Sequence, residues 1–449
     1  MSGSQAQAPV TALAFIRPHP LDWPLTGGVI PLLVLVVGLA ALLGLAVSTN
    51  RPWWRRRLPA AVLLAGVLSV LLVYTVDDWW QPLPDPLPRR VDLWIGLGVL
   101  GLLLAAFRLP GARWRGRVAA IGAALLVLLM AGSQINRHFD QYPTGRVLLA
   151  PWLAGTTALP TGSANSTVTA PAGRTLAEVW QAPAGLPAKG TVSLAALPGA
   201  KRGFTPRAAY IYLPPAYHAD PRPLLPVLVL LAGQPGSPAD WVHSGQLADM
   251  MDAFAAEHQG LAPVVVAVDP TGSTWGNKLC MDSKLARAQS YLAEDVPNWV
   301  HSHLQTATGR GAWAIGGLSL GGTCSLQLAV NAPQVYGSFV DISGQQEPTL
   351  GSHGRTVDEA FGGDESAFQA VDPLHVMARQ NFPATAASFV VGRGDGEFGP
   401  QNRKVYQAAL AAGMKAEFTQ VPGGHDWTVF RAGLSGQLPW LARQTGLIG

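Results

Sequence analysis

The run AIGGLSLGGTCSLQLAV, residues 314–330, decides how this 449-residue chain is read. Ser319 lies between Gly317 and Gly321, with Gly316 and Gly322 outside them. An apolar run leads in, and an apolar run of helical period leads out. In that context GLSLG, 317–321, fits the G-x-S-x-G turn that passes sharply from a strand into a helix. Side chains beside the serine collide with neighbouring backbone, so the turn needs glycines on both sides. The turn lifts the hydroxyl above the sheet edge and sets the following helix N-terminus beneath any negative charge that develops. Ser319 is therefore the candidate nucleophile. A five-residue pattern is weak in a chain with 50 glycines; its weight comes from the flanking elements and from partners downstream.

Outward from this turn, PVLVLLAG (226–233), APVVVAVDP (262–270), GAWAIGG (311–317), ASFVVGRGDG (387–396) and AEFTQVPGGHDW (416–427) read as strands with their following loops. GTVSLAAL (190–197) and RAAYIYLPPAY (207–217) read as two earlier strands, the second ended by Pro214 and Pro215. Helix-like segments lie around 240–258, 285–304, 320–332, 401–413 and 427–444. Short buried strands alternating with helices predict an α/β fold over 190–449, a mainly parallel sheet with helices on both faces. Ligand sites in such folds lie at the carboxyl ends of the strands.

A serine hydroxyl needs a base to take its proton. In the α/β-hydrolase chain order an acid and then a histidine follow the serine. Downstream, VVGRGDGEFGP supplies Asp395 and Glu397, and VPGGHDW supplies His425, each in a loop after a strand. His425 is the expected general base and Asp395 the acid that orients it, with Glu397 a competitor for the acid role. Asp426, adjacent to His425, is expected to point elsewhere. His301, His303, His353 and His375 lack the strand-end context. The tetrahedral intermediate needs two N–H donors. The amide of Leu320 is one. Gln234 in LAGQPG is the other, because Pro235 has no N–H. No metal or cofactor is required.

Taken together, YIYLPPAY, LVLLAG, GGLSLGGTCSLQLA and PGGHDW, four motifs in order across roughly 190–445, resemble the esterase family containing esterase D, the feruloyl esterases and the mycobacterial antigen 85 mycoloyltransferases. The resemblance implies an α/β-hydrolase fold, acyl-ester chemistry, and nucleophile, acid and base at Ser319, Asp395 and His425. One departure is Ala232, where many relatives have the histidine of a His-Gly pair. It puts the oxyanion loop, though not its backbone donor, in question.

Charged residues are 13% of the chain, against about 25% in an average soluble protein. The apolar surplus lies mostly before residue 135, in four stretches at 27–47, 59–76, 91–107 and 118–134. Each is near the ~20 residues that cross a bilayer core. The loops NRPWWRRRL, with Arg51, Arg55, Arg56 and Arg57, and RLPGARWRGR, with Arg108, Arg113, Arg115 and Arg117, are strongly basic. The intervening loop carries Asp77, Asp78, Asp85 and Asp92 against Arg89 and Arg90. The positive-inside rule then puts the two basic loops in the cytoplasm and both termini outside. Trp53, Trp54, Trp79, Trp80 and Trp114 stand where interfacial anchors belong. Residues 1–26 lack a basic n-region and a cleavage site, so they read as an extracytoplasmic tail before a retained anchor. The anchor, 27–135, resembles that of membrane-tethered actinobacterial members of the same family. Residues 136–189 read as a membrane-proximal segment and linker, the linker being the part at 155–189 that is rich in Ala, Gly, Thr, Ser and Pro. Net charge is +4, but no basic stripe interleaved with exposed aromatics marks a nucleic-acid surface.

Two cysteines, Cys280 in NKLCMDS and Cys324 in the helix after the turn, both fall in the part expected outside the cell, where a disulfide between them is permitted. The expectation is a membrane-tethered serine esterase or acyltransferase whose substrate is an ester-containing lipid, glycolipid or cell-wall component. The alternatives are a non-catalytic envelope protein that keeps the fold for binding, or a transporter or sensor with a hydrolase appended. The scarcity of ionisable residues inside the spans argues against the last.

Overall fold

The computed structural model describes residues 19–80, 86–153, 155–160, 162–199 and 203–449. Most of the expected N-terminal tail, 1–18, and Asp85 of the acidic loop lie outside them. Four apolar helices come first: α1 (Val29–Ala46), α2 (Leu58–Tyr74, extended by π-helical turns to span Trp53–Trp80), α3 (Arg89–Arg108) and α4 (Trp114–Phe139). All four are long and apolar enough to cross a membrane. Their outward faces are apolar too, with Leu63 71% and Val70 69% exposed. Such faces suit lipid rather than water. Inside the bundle small residues let the helices close up. A Cβ on Gly38 of α1 would fall 2.3 Å from Met130 of α4, and one on Gly101 of α3 would fall 2.7 Å from Val127. Glycine at such crossings is how apolar helices gain packing contact without a hydrophobic drive between them.

The second half is an α/β-hydrolase sheet of eight strands, as the motif order implies. In chain order they are β1 (Thr191–Ala195), β2 (Ala209–Leu213), β3 (Val227–Leu231), β4 (Val264–Val268), β5 (Trp313–Leu318), β6 (Ser338–Ile342), β7 (Ala386–Gly392) and β8 (Lys415–Val421). Their spatial order is β8-β7-β6-β5-β3-β4-β2-β1. The run from β8 to β4 is parallel; β2 is antiparallel to β4 and β1 antiparallel to β2. β3, β4 and β5 are buried along their whole length, which is why they read as unbroken apolar runs. Of these eight strands, β6 is the one that the sequence pattern missed.

Helices α5 (Gly145–Leu153), α6 (Leu247–Glu257), α7 (Val296–His303), α8 (Leu320–Asn331), α9 (Phe398–Ala411) and α10 (Trp427–Gln444) follow in order. α8 is buried from Leu320 to Val330. Segment 155–189 is more than a linker. It buries Leu176 and Trp180 in the hydrolase core, and the Trp180 indole donates to the Gln259 carbonyl at 3.0 Å. Its small-residue composition hides two large anchors.

Cys280 and Cys324 form the expected disulfide, with Cα atoms 5.5 Å apart. It ties the loop after β4 to the second turn of α8. Closing a loop of 44 residues' separation stabilises the folded chain by about 4 kcal/mol in the chain-entropy model. Intact mass after alkylation is expected to show no modified cysteine without reductant and two with it. Reduction, or the Cys280→Ala/Cys324→Ala pair, is expected to lower the heat-unfolding midpoint by roughly 10 °C; alkylation of the unreduced folded chain would refute the assignment.

Candidate active site

Ser319 sits between β5 and α8 with φ 53° and ψ −123°, a region that side chains other than glycine rarely adopt. The neighbours enforce it. A Cβ on Gly317 would fall 2.3 Å from the Gly321 carbonyl, and one on Gly321 would fall 2.3 Å from the Leu231 carbonyl at the end of β3. The Ser319 amide donates to the Ile342 carbonyl at 2.8 Å, and its own carbonyl accepts from Gly322 and Thr323. The serine is therefore locked between two parallel strands at their carboxyl ends, with its side chain on the N-terminus of a 12-residue helix. The first amides of a helix have no acceptor within it. Leu320 N–H, the first of them, thus belongs to the pole that favours negative charge.

Asp395 and His425, read from loops 30 residues apart, meet. His425 Nδ1 lies 3.0 Å from Asp395 Oδ2. An ionised carboxylate only accepts, so Nδ1 carries the proton and Nε2 is the basic nitrogen. Asp395 is buried, and its other oxygen accepts from Phe398 N–H at 2.9 Å. The imidazole stacks on Phe398, with centroids 4.0 Å apart, and meets the edge of Phe430 at 5.1 Å. The ring is thus held on one face by Phe398, in an edge contact by Phe430, and at Nδ1 by a fixed acceptor. Glu397 is exposed and is not the partner of His425. Asp426 points away as expected: it caps α10, accepting from Val429 N–H at 3.1 Å, and also accepts from Gly424 N–H at 2.8 Å. His353 lies between Glu347 and Glu365, and His375 against Asp372. Among the described residues no hydrogen bond joins the Ser319 hydroxyl to His425. In unliganded sites of this kind that contact is often long and tightens when substrate binds.

The loop after β3 passes beside the serine: a Cβ on Gly233 would lie 3.2 Å from the Ser319 Cβ. Gln234 follows, its side chain donating to the Trp275 carbonyl at 3.2 Å and accepting from Asn277 at 2.9 Å. What braces this loop has no sequence signal. Arg207 makes a two-point contact with buried Asp269, at 2.9 and 2.8 Å, and also donates to the Gly236 carbonyl at 3.0 Å. The two residues are 62 apart in sequence, so no local spacing could reveal the pair.

Asp341 on β6 was also missed. It is wholly buried, paired in register with Gly317, and its Oδ1 accepts from Gly344 N–H at 2.7 Å. A Cβ on Gly322 would lie 2.4 Å from that same oxygen, so the carboxyl is wedged against the first turn of α8. Burial pushes Asp341 up to about 7, and the Gly344 N–H and the Asn402 side chain only partly oppose this.

A family model described as "Putative esterase" matches residues 205–441. An uncharacterized protein of Corynebacterium glutamicum is 36% identical over 417 residues, covering 91% of this chain and 93% of its own. That span is too long for the hydrolase half alone, so the likeness extends into the apolar helices. Among solved structures, a ferulic acid esterase aligns with a TM-score of 0.51 and 18% identity, over 57% of this chain and 99% of its own. An S-formylglutathione hydrolase from Agrobacterium tumefaciens aligns at 0.47 and 19%, over 58% and 97%. The ferulic acid esterase shares the fold.

An Asp has an ordinary pKa of about 3.9 when unfolded. Between pH 4 and 7 folded Asp341 therefore holds a proton that the unfolded chain has lost, and stability falls as pH rises through that window. Above about pH 7 the full cost is present. Asp341→Asn is expected to raise the unfolding midpoint relative to wild type more at pH 8 than at pH 5. An equal difference at both pH values would rule this out.

Proposed function

The chain belongs to the esterase family of α/β-hydrolases, and from that premise we propose that it is a membrane-anchored serine esterase or acyltransferase of the cell envelope. Its α/β domain faces outward, and its substrate is an acyl ester of a lipid, glycolipid or wall component. The observation that carries this reading is the Asp395–His425 pair, 3.0 Å apart at the sheet edge that also holds Ser319.

His425 Nε2 takes the Ser319 proton as the hydroxyl oxygen attacks the ester carbonyl carbon. Asp395 keeps the imidazole in the required tautomer and stabilises the imidazolium. The carbonyl oxygen becomes an oxyanion, held by the amides of Leu320 and Gln234 at the positive end of α8. Collapse expels the alcohol, which takes the proton from His425 and leaves an acyl group on Ser319. Water, or a sugar or lipid hydroxyl, then attacks the acyl-enzyme with His425 again as base. The acid or a new ester leaves, and Ser319 recovers its proton. The chain's own groups account for every proton transfer.

The outward orientation rests on the basic loops at 51–57 and 108–117 against the acidic loop between them. The hydrolase domain is joined to the helix ends opposite those basic loops. Asp140, which ends α4, contacts Thr428 at 3.1 Å and pairs with Arg431.

A fluorophosphonate probe is expected to label the full-length protein, and Ser319→Ala and His425→Ala to abolish labelling. Asp395→Asn is expected to slow turnover of a p-nitrophenyl ester by about 1,000- to 10,000-fold, and Glu397→Gln by less than about threefold, since its exposed side chain is not the partner of His425. Labelling that persists in Ser319→Ala would end the proposal; reversed effects of the two carboxylate variants would reassign the acid.

A further inference from the structure

Two walls of the candidate site are attached to the same end of the helix bundle. On the histidine side, α10 starts two residues after His425. Its first turns grip the end of α4: the Trp427 indole donates to Gln141, Thr428 donates to Asp140 at 3.1 Å, and Arg431 pairs with Asp140 while donating to the Ser244 carbonyl at 2.8 Å. Gln141 in turn donates to the Ser244 hydroxyl at 2.8 Å. On the oxyanion side, the Gln234 side chain rests on the Trp275 carbonyl, and the Trp275 ring lies 6.4 Å from that of Trp80 at the end of the α2 span. Trp79, Trp80 and Trp275 are all more than half exposed.

Tryptophan at the end of a membrane-spanning helix sits at the depth of the headgroups. Trp80 and Asp140 end two helices on one side of the bundle, so contact with both holds the site at that depth rather than out in solvent. A domain meant for soluble or wall-borne esters gains nothing from this, because its mouth could face any way on a flexible tether.

We propose that the substrate is an amphiphilic ester resident in the same bilayer, whose carbonyl lies at headgroup depth and enters along the Trp79, Trp80 and Trp275 rim. The inference rests on the hydrolase reading and narrows its substrate to a membrane lipid. Ser319 attacks that carbonyl without the lipid leaving the leaflet. The rim stacks against the upper chain and holds the ester within reach, so the bilayer supplies the local concentration.

The test uses the full chain in phosphatidylglycerol vesicles and two probes at equal concentration: a fluorophosphonate carried on a dialkylglycerol in the same bilayer, and a short water-soluble fluorophosphonate. The expected result is labelling of Ser319 at least tenfold faster by the bilayer probe. Trp80→Ala is expected to narrow that ratio at least fivefold, and Trp80→Phe to restore it. The ratio cancels any general loss of folding, which the soluble probe reports alone. Equal labelling by both probes, or a ratio that Trp80→Ala leaves unchanged, would overturn the inference while the hydrolase reading stands. Labelling by neither probe would overturn the hydrolase reading, and this inference with it.

Discussion

Ser319 occupies a backbone conformation that costs of order 1–3 kcal/mol wherever it is held, and the neighbouring structure exists to hold it. β3 and β6 flank β5 on either side. Leu231 and Ile342 present carbonyls that leave no room for a residue larger than glycine at 321 and fix the serine amide. The following helix is buried on every side, and the disulfide fastens its second turn to the loop after β4. A turn so constrained cannot relax without unpacking the centre of the sheet. The strain is thereby offset by burial of apolar surface throughout β3, β5 and α8. Lifting the hydroxyl clear of the sheet is the consequence.

The same constraint explains what was legible. A glycine pattern around one serine, between two apolar runs, has few other physical readings, and the fully buried strands beside it appear as unbroken apolar runs. Asp395 and His425 were legible because each follows a strand, and parallel strands deliver their following loops to one edge. β6 was not legible. Its sequence, SFVDI, places a carboxylate in the middle of a strand, and only the fold reveals that the carboxylate is buried against Gly322. The Arg207–Asp269 brace was invisible for a related reason, since a contact between distant segments leaves no period in either.

Segment 344–372 forms short helices at His353–Thr356 and Glu365–Val371. Leu350, Phe361 and Val371 pack on Leu279 and Met281, the neighbours of Cys280. Asn277, three residues before that cysteine, donates both to Gln234 and to the Thr349 carbonyl. This segment, the disulfide loop and the loop after β3 are thus one connected layer. A change in any of them reaches the loop beside Ser319 through hydrogen bonds already in place.

The connection between the two halves follows from where the 136–189 segment goes. It leaves α4 at Asp140, which Arg431 holds against α10. It then runs to the far edge of the sheet, where Thr157 N–H donates to the Val192 carbonyl at 2.8 Å beside β1. Thr167–Val168 pairs with Arg222–Pro223, and the amides of Leu176 and Ala177 donate to the carbonyls of Gly446 and Leu447. Composition alone predicts a flexible tether, and a flexible tether leaves a domain free to turn. A segment that is hydrogen-bonded at an edge strand and at the C-terminus, with Leu176 and Trp180 sunk in the core, leaves no such freedom. The placement of the edge that holds Ser319 relative to the helix ends therefore rests on the contacts of Asp140 with Arg431 and Thr428 rather than on a free tether, and covering part of β1 also protects an edge that would otherwise invite pairing with another chain.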